Sequence, residues 1–329
     1  MSDAGPSAGR LADAVRAAAQ RLQGLVVATP TVPSPWLSAA CGAEVRLKLE
    51  NVQATGSFKL RGATHALLRL PPSVRARGVV AASSGNHGLA VAAAAARLGI
   101  AATVFVPSTT PAEKQQSIAA CGAEVEVHGD DCLVTELHAR RVAAASGRSY
   151  LSPYNDAEVI AGQGTVAVEL LQQWPEVETL YVAVGGGGLI AGMAAFAKAE
   201  RPELEIVGCS PLASAAMAAC VRAGAIHDVV CGPTWSDSTA GGVEPGAITF
   251  PLCRDLVDRF VDVDEAAVGR ALFDCLRHQH LLVEGAVGVA IAACLVDHER
   301  NGRSGRRSAI VVCGGNLPLS LLRSLLAAH

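Results

Sequence analysis

One lysine in the sequence has neighbours that are unusual for its side chain. Lys59 lies between Phe58 and Leu60 in the stretch "ATGSFKLRGA" (54–63), which also has a glycine on either side of the lysine. Lysines normally lie on solvated faces among polar neighbours. Removal from water lowers the pKa of an amine, and the neutral amine is a nucleophile toward aldehydes. The pattern predicts that Lys59 forms a covalent bond as part of the protein's function.

Four consecutive glycines stand between a strand pattern and a helix pattern in "VAVGGGGLIAGMAAF" (182–196). They are Gly185, Gly186, Gly187 and Gly188. Glycines have no Cβ atom, so successive N–H groups can converge on an anion, and the helix N-terminus adds positive partial charge. The segment predicts a phosphate site, because the alternative, a tight strand–helix turn, needs only one or two glycines. Since the GxGxxG fingerprint is missing from its usual place, a compact phosphate is favoured over a dinucleotide.

Two further turns follow strand patterns. "ASSGNHGLA" (82–90) opens a helix and could bind a carboxylate, although an ordinary N-capped helix start remains the alternative. Its candidate donors are Ser83, Ser84, Asn86 and His87. His87, taken alone, is more typical of a structural histidine than of a base. "VVCGGN" (311–316) ends a strand at Cys313, which taken alone is typical of an inert core cysteine.

Together these segments predict one site. Ligands of open α/β sheets bind at the carboxyl ends of strands, and all three turns follow strand patterns. A phosphate cradle, a carboxylate-binding turn and an amine nucleophile point to an aldehyde cofactor that carries a phosphate. Pyridoxal phosphate has both groups, and enzymes hold it as a Schiff base with a lysine. The residues therefore predict that pyridoxal 5'-phosphate binds at Lys59.

The elements that position these residues follow an alternating pattern. Apolar runs separated by helical patterns predict an α/β fold with open parallel sheets flanked by helices. The predicted strands are "EVRLKLE" (44–50), "GVVAAS" (78–83), "ATVFVP" (102–107), "AEVEVHG" (123–129), "TLYVAV" (179–184), "EIVGCS" (205–210) and "SAIVVCGG" (308–315). Helices are predicted near 88–98, 111–120 and 131–146. Two blocks result, about 78–150 and 156–329, with "YLSPYND" (150–156) as their connection.

Composition excludes some classes of function. Half of the 329 residues are hydrophobic and the formal net charge is -3, which favours neither a nucleic-acid partner nor an anionic membrane. The start, "MSDAGPSAGRLADAV", lacks the pattern of a secretory signal, and no apolar stretch predicts a transmembrane helix. The ten cysteines form no CxxC pair, which favours reduced thiols and a cytoplasmic protein.

Six motifs in this order resemble those of the fold-type II pyridoxal-phosphate enzymes, and most closely the serine/threonine dehydratase and serine racemase branch. They are "ENVQATGSFKLRGA", "SSGNHG", "PYND..VIAGQGT", "GGGGLIAG", "LLVEGAVGVA" and "CGGN". The resemblance extends from about residue 20 to about residue 320. It implies a two-domain fold similar to the tryptophan synthase β subunit. Residues 1–77 and 156–329 would form the large cofactor-binding domain and residues 78–155 the small one, with the active site in the cleft between them.

The resemblance also implies roles for single residues. Lys59 matches the Schiff-base lysine, which also moves the α-proton, and Phe58 matches a residue that packs near the cofactor ring. Asn86 matches an asparagine that hydrogen-bonds the ring oxygen, and Cys313 matches the Ser or Cys that faces the pyridine nitrogen. The four glycines match the phosphate loop, and the matches to the substrate-binding loop are Ser83, Ser84, Asn86 and His87. Glu284 matches a glutamate near the cofactor, whose role can equally be structural.

The implied reaction is the α,β-elimination of water from a β-hydroxy amino acid such as L-threonine or L-serine, which yields a 2-oxo acid and ammonia. Ser84 matches the opposite-face base of serine racemases, where simple dehydratases usually carry alanine, so racemisation stays open. The stretch "VGCSPLASAAM" (207–217) has Ser210 and Ala216 where the racemase-like members bind a divalent cation with acidic residues. We therefore predict no metal ligand.

A last departure lies in "AGGVEPGAITF" (240–250). Gly241 stands where the family commonly has aspartate, and Glu244 adds a charge that could contact a substrate amine or lie in an exposed turn. This variant is similar to dehydratases linked to hydroxyectoine breakdown.

The resemblance implies a homodimer with a small amino-acid substrate. The alternatives are an amino-acid racemase, a β-replacement enzyme, and a non-catalytic binder on the same scaffold.

Overall fold

Two parallel sheets organise the chain. The structure, a computed structural model, describes residues 7–328. The prediction that the chain begins without a secretory signal therefore falls partly on residues 1–6, which lie outside the described residues. The strands are β1 (Thr31–Pro33), β2 (Glu44–Leu49), β3 (Val79–Ala82), β4 (Ala102–Val106), β5 (Glu124–Val127), β6 (Ser149–Tyr150), β7 (Thr179–Ala183), β8 (Glu205–Pro211), β9 (Arg259–Val263) and β10 (Arg307–Val312).

Helices separate most of these strands. They are α1 (Ala8–Leu22), α2 (Pro35–Cys41), α3 (Lys59–Arg69), α4 (Pro72–Arg75), α5 (Asn86–Arg97), α6 (Ala112–Ala120), α7 (Cys132–Ser146), α8 (Ala157–Gln173), α9 (Gly188–Glu200), α10 (Ala216–Ala223), α11 (Thr249–Leu256), α12 (Glu265–Asp274), α13 (Gly285–Asn301) and α14 (Leu319–Ala328). Within residues 7–328, none of them has the length and apolar character that a membrane crossing requires.

The larger sheet has six strands in the order β1-β2-β10-β7-β8-β9. Only β1 runs antiparallel to its neighbour, β2. Every residue of β7 is buried, as expected for a central strand covered on both faces. Helices α1, α8 and α9 pack on one another, and α13 packs against α2, α12 and four strands, which encloses one large apolar core.

The smaller sheet has four parallel strands in the order β5-β4-β3-β6. All of them fall within residues 78–155, and all six strands of the larger sheet fall outside that range. Helix α3 comes from outside the range, yet it packs on α5 and contributes Leu60 and Leu67 to the apolar core of the smaller sheet. The division into two domains at these residues stays a prediction.

The α/β prediction is confirmed, and the predicted strands agree with the observed ones to within a few residues. Three observed strands were not predicted. Two of them, β1 and β6, have three and two residues, too few to show a period. The third, β9, has the sequence RFVDV and lies at the edge of its sheet, where two partly buried charged residues interrupt the apolar pattern.

A buried ionic network fixes helix α3 against the larger sheet. The Arg61 guanidinium, only 1% exposed, donates two hydrogen bonds to Glu50 at 2.7 and 2.8 Å and two to Glu169 at the same distances. Lys48, which lies on β2, forms an ion pair with Glu169 on α8 at 2.7 Å. Burial by itself lowers the pKa of Arg61, but the two carboxylates outweigh it and raise that pKa above its ordinary value.

We expect Arg61→Met to lower the free energy of unfolding by about 3–5 kcal/mol, because the buried Glu50 carboxylate loses its ion-pair partner and Glu169 keeps only Lys48. Chemical denaturation of the purified chain measures this loss. Arg254→Met is the matched control, since Arg254 pairs with Asp255 at the surface and should change stability little. Equal losses in the two variants would contradict the role of the network.

Candidate active site

The residues predicted from the sequence line one cavity of about 580 Å³ at the carboxyl ends of the strands. They are Phe58, Lys59, Ser83, Ser84, Asn86, His87, Gly185, Gly186, Gly187, Gly188 and Cys313. Glu284 lines it as well. The smaller sheet contributes the turn after β3, and the larger sheet contributes the turns after β7 and β10.

The segment before Lys59 is attached to the end of β10. Ser57 and Gly314 form an isolated antiparallel bridge, and the Phe58 N–H donates to the Cys313 carbonyl at 3.0 Å. The Gly315 N–H donates back to the Gly56 carbonyl at 2.9 Å. Because α3 begins at residue 59, this bridge places the amine-bearing side chain beside the Cys-Gly-Gly turn, far away in sequence.

The Lys59 amine lies inside the cavity and is withdrawn from bulk water. Its Nζ donates a hydrogen bond to the Pro153 carbonyl at 2.9 Å. Desolvation lowers the pKa of Lys59 to about 8, and the nearby acidic groups Glu284 and Cys313 oppose that shift only in part. A substantial fraction of the amine is therefore neutral at slightly alkaline pH, which is the state that attacks an aldehyde.

The glycine loop is built by close packing as well as by backbone conformation. A Cβ atom at Gly186 would lie 2.5 Å from the ring of Tyr154, and one at Gly187 would lie 2.8 Å from Cys253 Sγ. Gly187 has φ +85° and caps α9, which begins at the next residue. The first N–H groups of a helix have no partner inside it, so they can bind an anion at this end of the cavity.

A hydrogen-bonded chain joins the two sheets across the cavity. Asn316 Nδ2 donates to Asn86 Oδ1 at 2.7 Å, and Asn86 Nδ2 donates to Glu284 Oε2 at 2.7 Å. Ser238 Oγ and Cys313 Sγ both donate to Glu284 Oε1, at 3.3 and 3.6 Å. Glu284 therefore anchors two residues predicted to contact the cofactor, which gives it a structural role in the site.

Burial keeps the Glu284 carboxyl group and the Cys313 thiol in their neutral forms over a wider pH range. It raises the pKa of Glu284, although the hydrogen bonds from Asn86, Cys313 and Ser238 oppose the shift. It raises the pKa of Cys313 well above its ordinary value, and the nearby Glu284 raises it further. Cys313 thus presents a neutral thiol to the cavity rather than a charged partner for a bound heterocycle.

His87 has the environment of a structural residue. Its Nε2 lies 3.0 Å from the Leu151 carbonyl, and the residue is 3% exposed. Burial and, to a smaller extent, the Lys59 charge lower the pKa of His87 to about 3, so the imidazole is neutral and a poor base. Ser83 Oγ accepts the Gly85 N–H at 3.2 Å and so supports the turn itself.

Glu244 is neither an exposed turn residue nor a free carboxylate. Arg140 on α7 donates to its Oε2 at 2.9 Å, and Arg140 also binds Glu136. The Glu244 N–H donates to the Tyr154 hydroxyl at 3.1 Å. The Glu244 charge, which could contact a substrate amine or lie in an exposed turn, pairs with the helix that covers the smaller sheet.

Sequence reasoning named no role for three residues of this site. Tyr154 packs its ring against the glycine loop, Thr249 donates to the Gly186 carbonyl at 2.7 Å, and Asn316 orients Asn86. Tyr154 and Asn316 lie inside quoted motifs, "PYND" and "CGGN", so the motifs carried a signal for them. Thr249 lies in the quoted stretch "AGGVEPGAITF", but nothing in that stretch indicated this contact, and only the fold brings Thr249 to the loop.

Comparisons with known proteins agree with this geometry. The sequence profile of the "Pyridoxal-phosphate dependent enzyme" family matches residues 22–314. An L-threonine ammonia-lyase of Thermotoga maritima is 37% identical, over 94% of this chain and 76% of the relative. The catabolic L-threonine dehydratase of Escherichia coli is 35% identical, over 94% and 93%. The structure of maize serine racemase has a TM-score of 0.90 and 33% identity, and the match covers 96% of this chain and 97% of that one.

The chain belongs to the pyridoxal-phosphate dependent enzyme family. The predicted fold, the predicted cofactor and the predicted class of pyridoxal-phosphate ammonia-lyase are thereby confirmed. The residues present fit that cofactor, because one cavity holds a lysine amine of lowered pKa and a glycine cradle that side chains would fill. The roles of the single residues stay predictions.

We expect Gly187→Ala to weaken pyridoxal-phosphate binding at least about tenfold, which corresponds to about 1.4 kcal/mol. The new methyl group would crowd Cys253, and alanine is strained at this positive φ. Titration of the cofactor-free chain, followed by absorbance, measures the affinity. Gly246→Ala is the matched control, since Gly246 has φ +75° but a Cβ there meets nothing within 4 Å. Equal affinities for the two variants would show that the loop does not hold the cofactor.

Attachment of the cofactor should depend on the pKa of Lys59. Since the protonated amine cannot attack, the rate of covalent capture should rise with pH and level off above about 8, where the amine is neutral. An ordinary lysine has a pKa of about 10.4, so Nα-acetyl-lysine amide should level off about two units higher. Stopped-flow absorbance with both amines separates this effect from the titration of the cofactor itself. Coincident profiles would contradict a desolvated Lys59.

Proposed function

We propose that this chain eliminates water from L-threonine or L-serine and releases a 2-oxo acid and ammonia. The observation that carries the proposal is the Lys59 amine, whose pKa is lowered and which shares one cavity with the glycine loop and Cys313. Two relatives named as a threonine ammonia-lyase and a threonine dehydratase, which align over nearly the whole chain, support it.

The residues of the cavity divide the work. Lys59 Nζ holds the cofactor and, once released from it, takes the α-proton of the substrate. The turn of Ser83, Ser84, Asn86 and His87 opens α5, and its N–H groups bind the substrate carboxylate. Pyridoxal phosphate, when bound, supplies an electron sink for the charge left at the α-carbon. Cys313 offers the ring only a neutral thiol, which suits prompt loss of a β-leaving group.

The test combines a visible spectrum with an assay of 2-oxo acid from L-threonine, L-serine and amino acids derived from hydroxyectoine. We expect cofactor absorbance and 2-oxo acid in the natural chain, and loss of both in Lys59→Ala. Lys198→Ala is the control, because Lys198 pairs with Asp258 at the surface and should keep both. Bound cofactor without 2-oxo acid from any of these substrates would contradict elimination. A chain that binds no cofactor would be a non-catalytic binder.

Racemisation is the second candidate. Ser84 lines the cavity that Lys59 enters, and the structure of maize serine racemase is similar over nearly the whole chain. A base on each side of the α-carbon could remove the proton from one face and return it to the other. In the same assay, chiral analysis of recovered serine should show inversion that Ser84→Ala abolishes while elimination continues. Recovery of L-serine alone would rule this candidate out.

The predictions of a hydroxyectoine-derived substrate, a homodimer and a cytoplasmic location rest on fewer observations. The hydroxyectoine link depends on the variant around Gly241 and Glu244, and the Glu244 carboxylate is already paired with Arg140. A homodimer and a cytoplasmic location likewise remain predictions, the second in keeping with ten free thiols. The substrate panel of the assay tests the hydroxyectoine link directly.

A further inference from the structure

Three side chains that could bind a metal ion meet near the start of β10, at the end of the larger sheet opposite the cavity. Cys41, Cys294 and His298 are all buried, and their ligand atoms lie within 4.8 Å of one another. In the part of the chain that the structure describes, no other set of three His, Cys, Asp or Glu side chains meets this condition. Their location is separate from residues 207–217, where the sequence predicted no metal ligand.

Local structure brings the three residues together. Cys294 and His298 are four residues apart on α13 and so share one face of that helix. Cys41 is the last residue of α2, and Gly42 ends that helix in the left-handed conformation. Helix α2 packs against α13, which turns the Cys41 thiol toward the pair.

The spacing suits a tetrahedral or trigonal thiolate site. Cys294 Sγ lies 3.6 Å from His298 Nδ1, and a zinc ion with ordinary bond lengths separates such ligands by about 3.5 Å. His298 Nδ1 also lies 2.9 Å from the Cys294 carbonyl, so the imidazole would have to turn out of that contact for Nδ1 to bind an ion. The other ring nitrogen, Nε2, lies 3.5 Å from Ser308 Oγ, and a hydrogen bond to the nitrogen that does not bind the metal is what orients ligating histidines.

The chemistry of the cluster selects soft ions. Two sulfurs and one imidazole disfavour Ca²⁺ and Mg²⁺, which need oxygen ligands. The nearest carboxylate in sequence, Asp297, already binds Tyr181 at 2.6 Å and Arg259 at 2.5 Å.

We propose that Cys41, Cys294 and His298 bind one thiophilic ion with a filled d shell, Zn²⁺ or Cu⁺. Ser308, which lies beside His298, is near the start of β10, whereas Cys313, which lines the cavity, follows the end of that strand. Five residues at 3.3 Å per residue separate them by about 16 Å, so the site lies apart from the cavity. The ion would connect α2 to α13 within the apolar core of the larger sheet. It would contribute to stability and not to the reaction.

The test uses the untagged holoenzyme, freed of metal with a chelator and equilibrated with buffered Zn²⁺ or, under reducing conditions, with Cu⁺. Elemental mass spectrometry should find about one ion of one of these metals per chain, and less than about a tenth of that in Cys294→Ala. Cys275→Ala is the matched control, since Cys275 is equally buried in the same core but lies outside the cluster, and it should keep the ion. Any ion held by the cofactor would be present in both variants.

Two results would overturn the proposal. One is an unmodified chain that retains neither metal, and the other is an equal metal content in Cys294→Ala and Cys275→Ala. If Cys294→Ala does not fold, alkylation of the unmodified chain decides the question. At a denaturant concentration at which the metal-free chain reacts, bound metal should slow the alkylation of Cys41 and Cys294 but not that of the buried Cys275, and equal rates at Cys41 and Cys294 with and without metal would reject the site.

Discussion

The short antiparallel contact between residues 56–58 and the turn after β10 is the constraint on which the site depends. It joins the first residue of α3 to the end of a central strand through the Ser57–Gly314 bridge and the hydrogen bond from Phe58 to Cys313. Without it, Lys59 would begin a helix with no fixed relation to the Cys-Gly-Gly turn. The bridge therefore places the amine, the thiol and the glutamate of the site within one cavity.

Two cations on the first turn of α3 show opposite uses of burial. Arg61 is held between two carboxylates, so its charge is retained inside the protein and locks the helix in place. Lys59, two residues earlier, donates only to a carbonyl, and desolvation lowers its pKa to about 8. A rigid, charged anchor next to a partly neutral amine is what a covalent lysine site needs, because the amine is positioned without an ion pair that would hold it in its protonated form.

The cavity lies where the two sheets meet, and the contacts across it are polar. The chain from Asn316 through Asn86 to Glu284 crosses it in short hydrogen bonds. The Arg140–Glu244 pair joins α7 to the turn after residue 240, but both side chains are partly exposed, so it contributes about 1 kcal/mol or less. Such contacts align the two sheets for binding, while the apolar cores, which differ between the sheets, provide most of the stability.

Local patterns in the sequence were enough to predict the chemistry of the site and the class of fold. A lysine among apolar neighbours, four glycines between a strand and a helix, and apolar runs at regular intervals are local patterns, so Lys59, the glycine loop and the α/β class could be predicted. Which side chains contact each other across the chain depended on how the helices and strands pack. The pairing of Glu244 with Arg140, the contact of Thr249 with the glycine loop, and the meeting of Cys41 with Cys294 and His298 join residues far apart in the chain. No local period records such contacts, because they arise only when helices and strands pack.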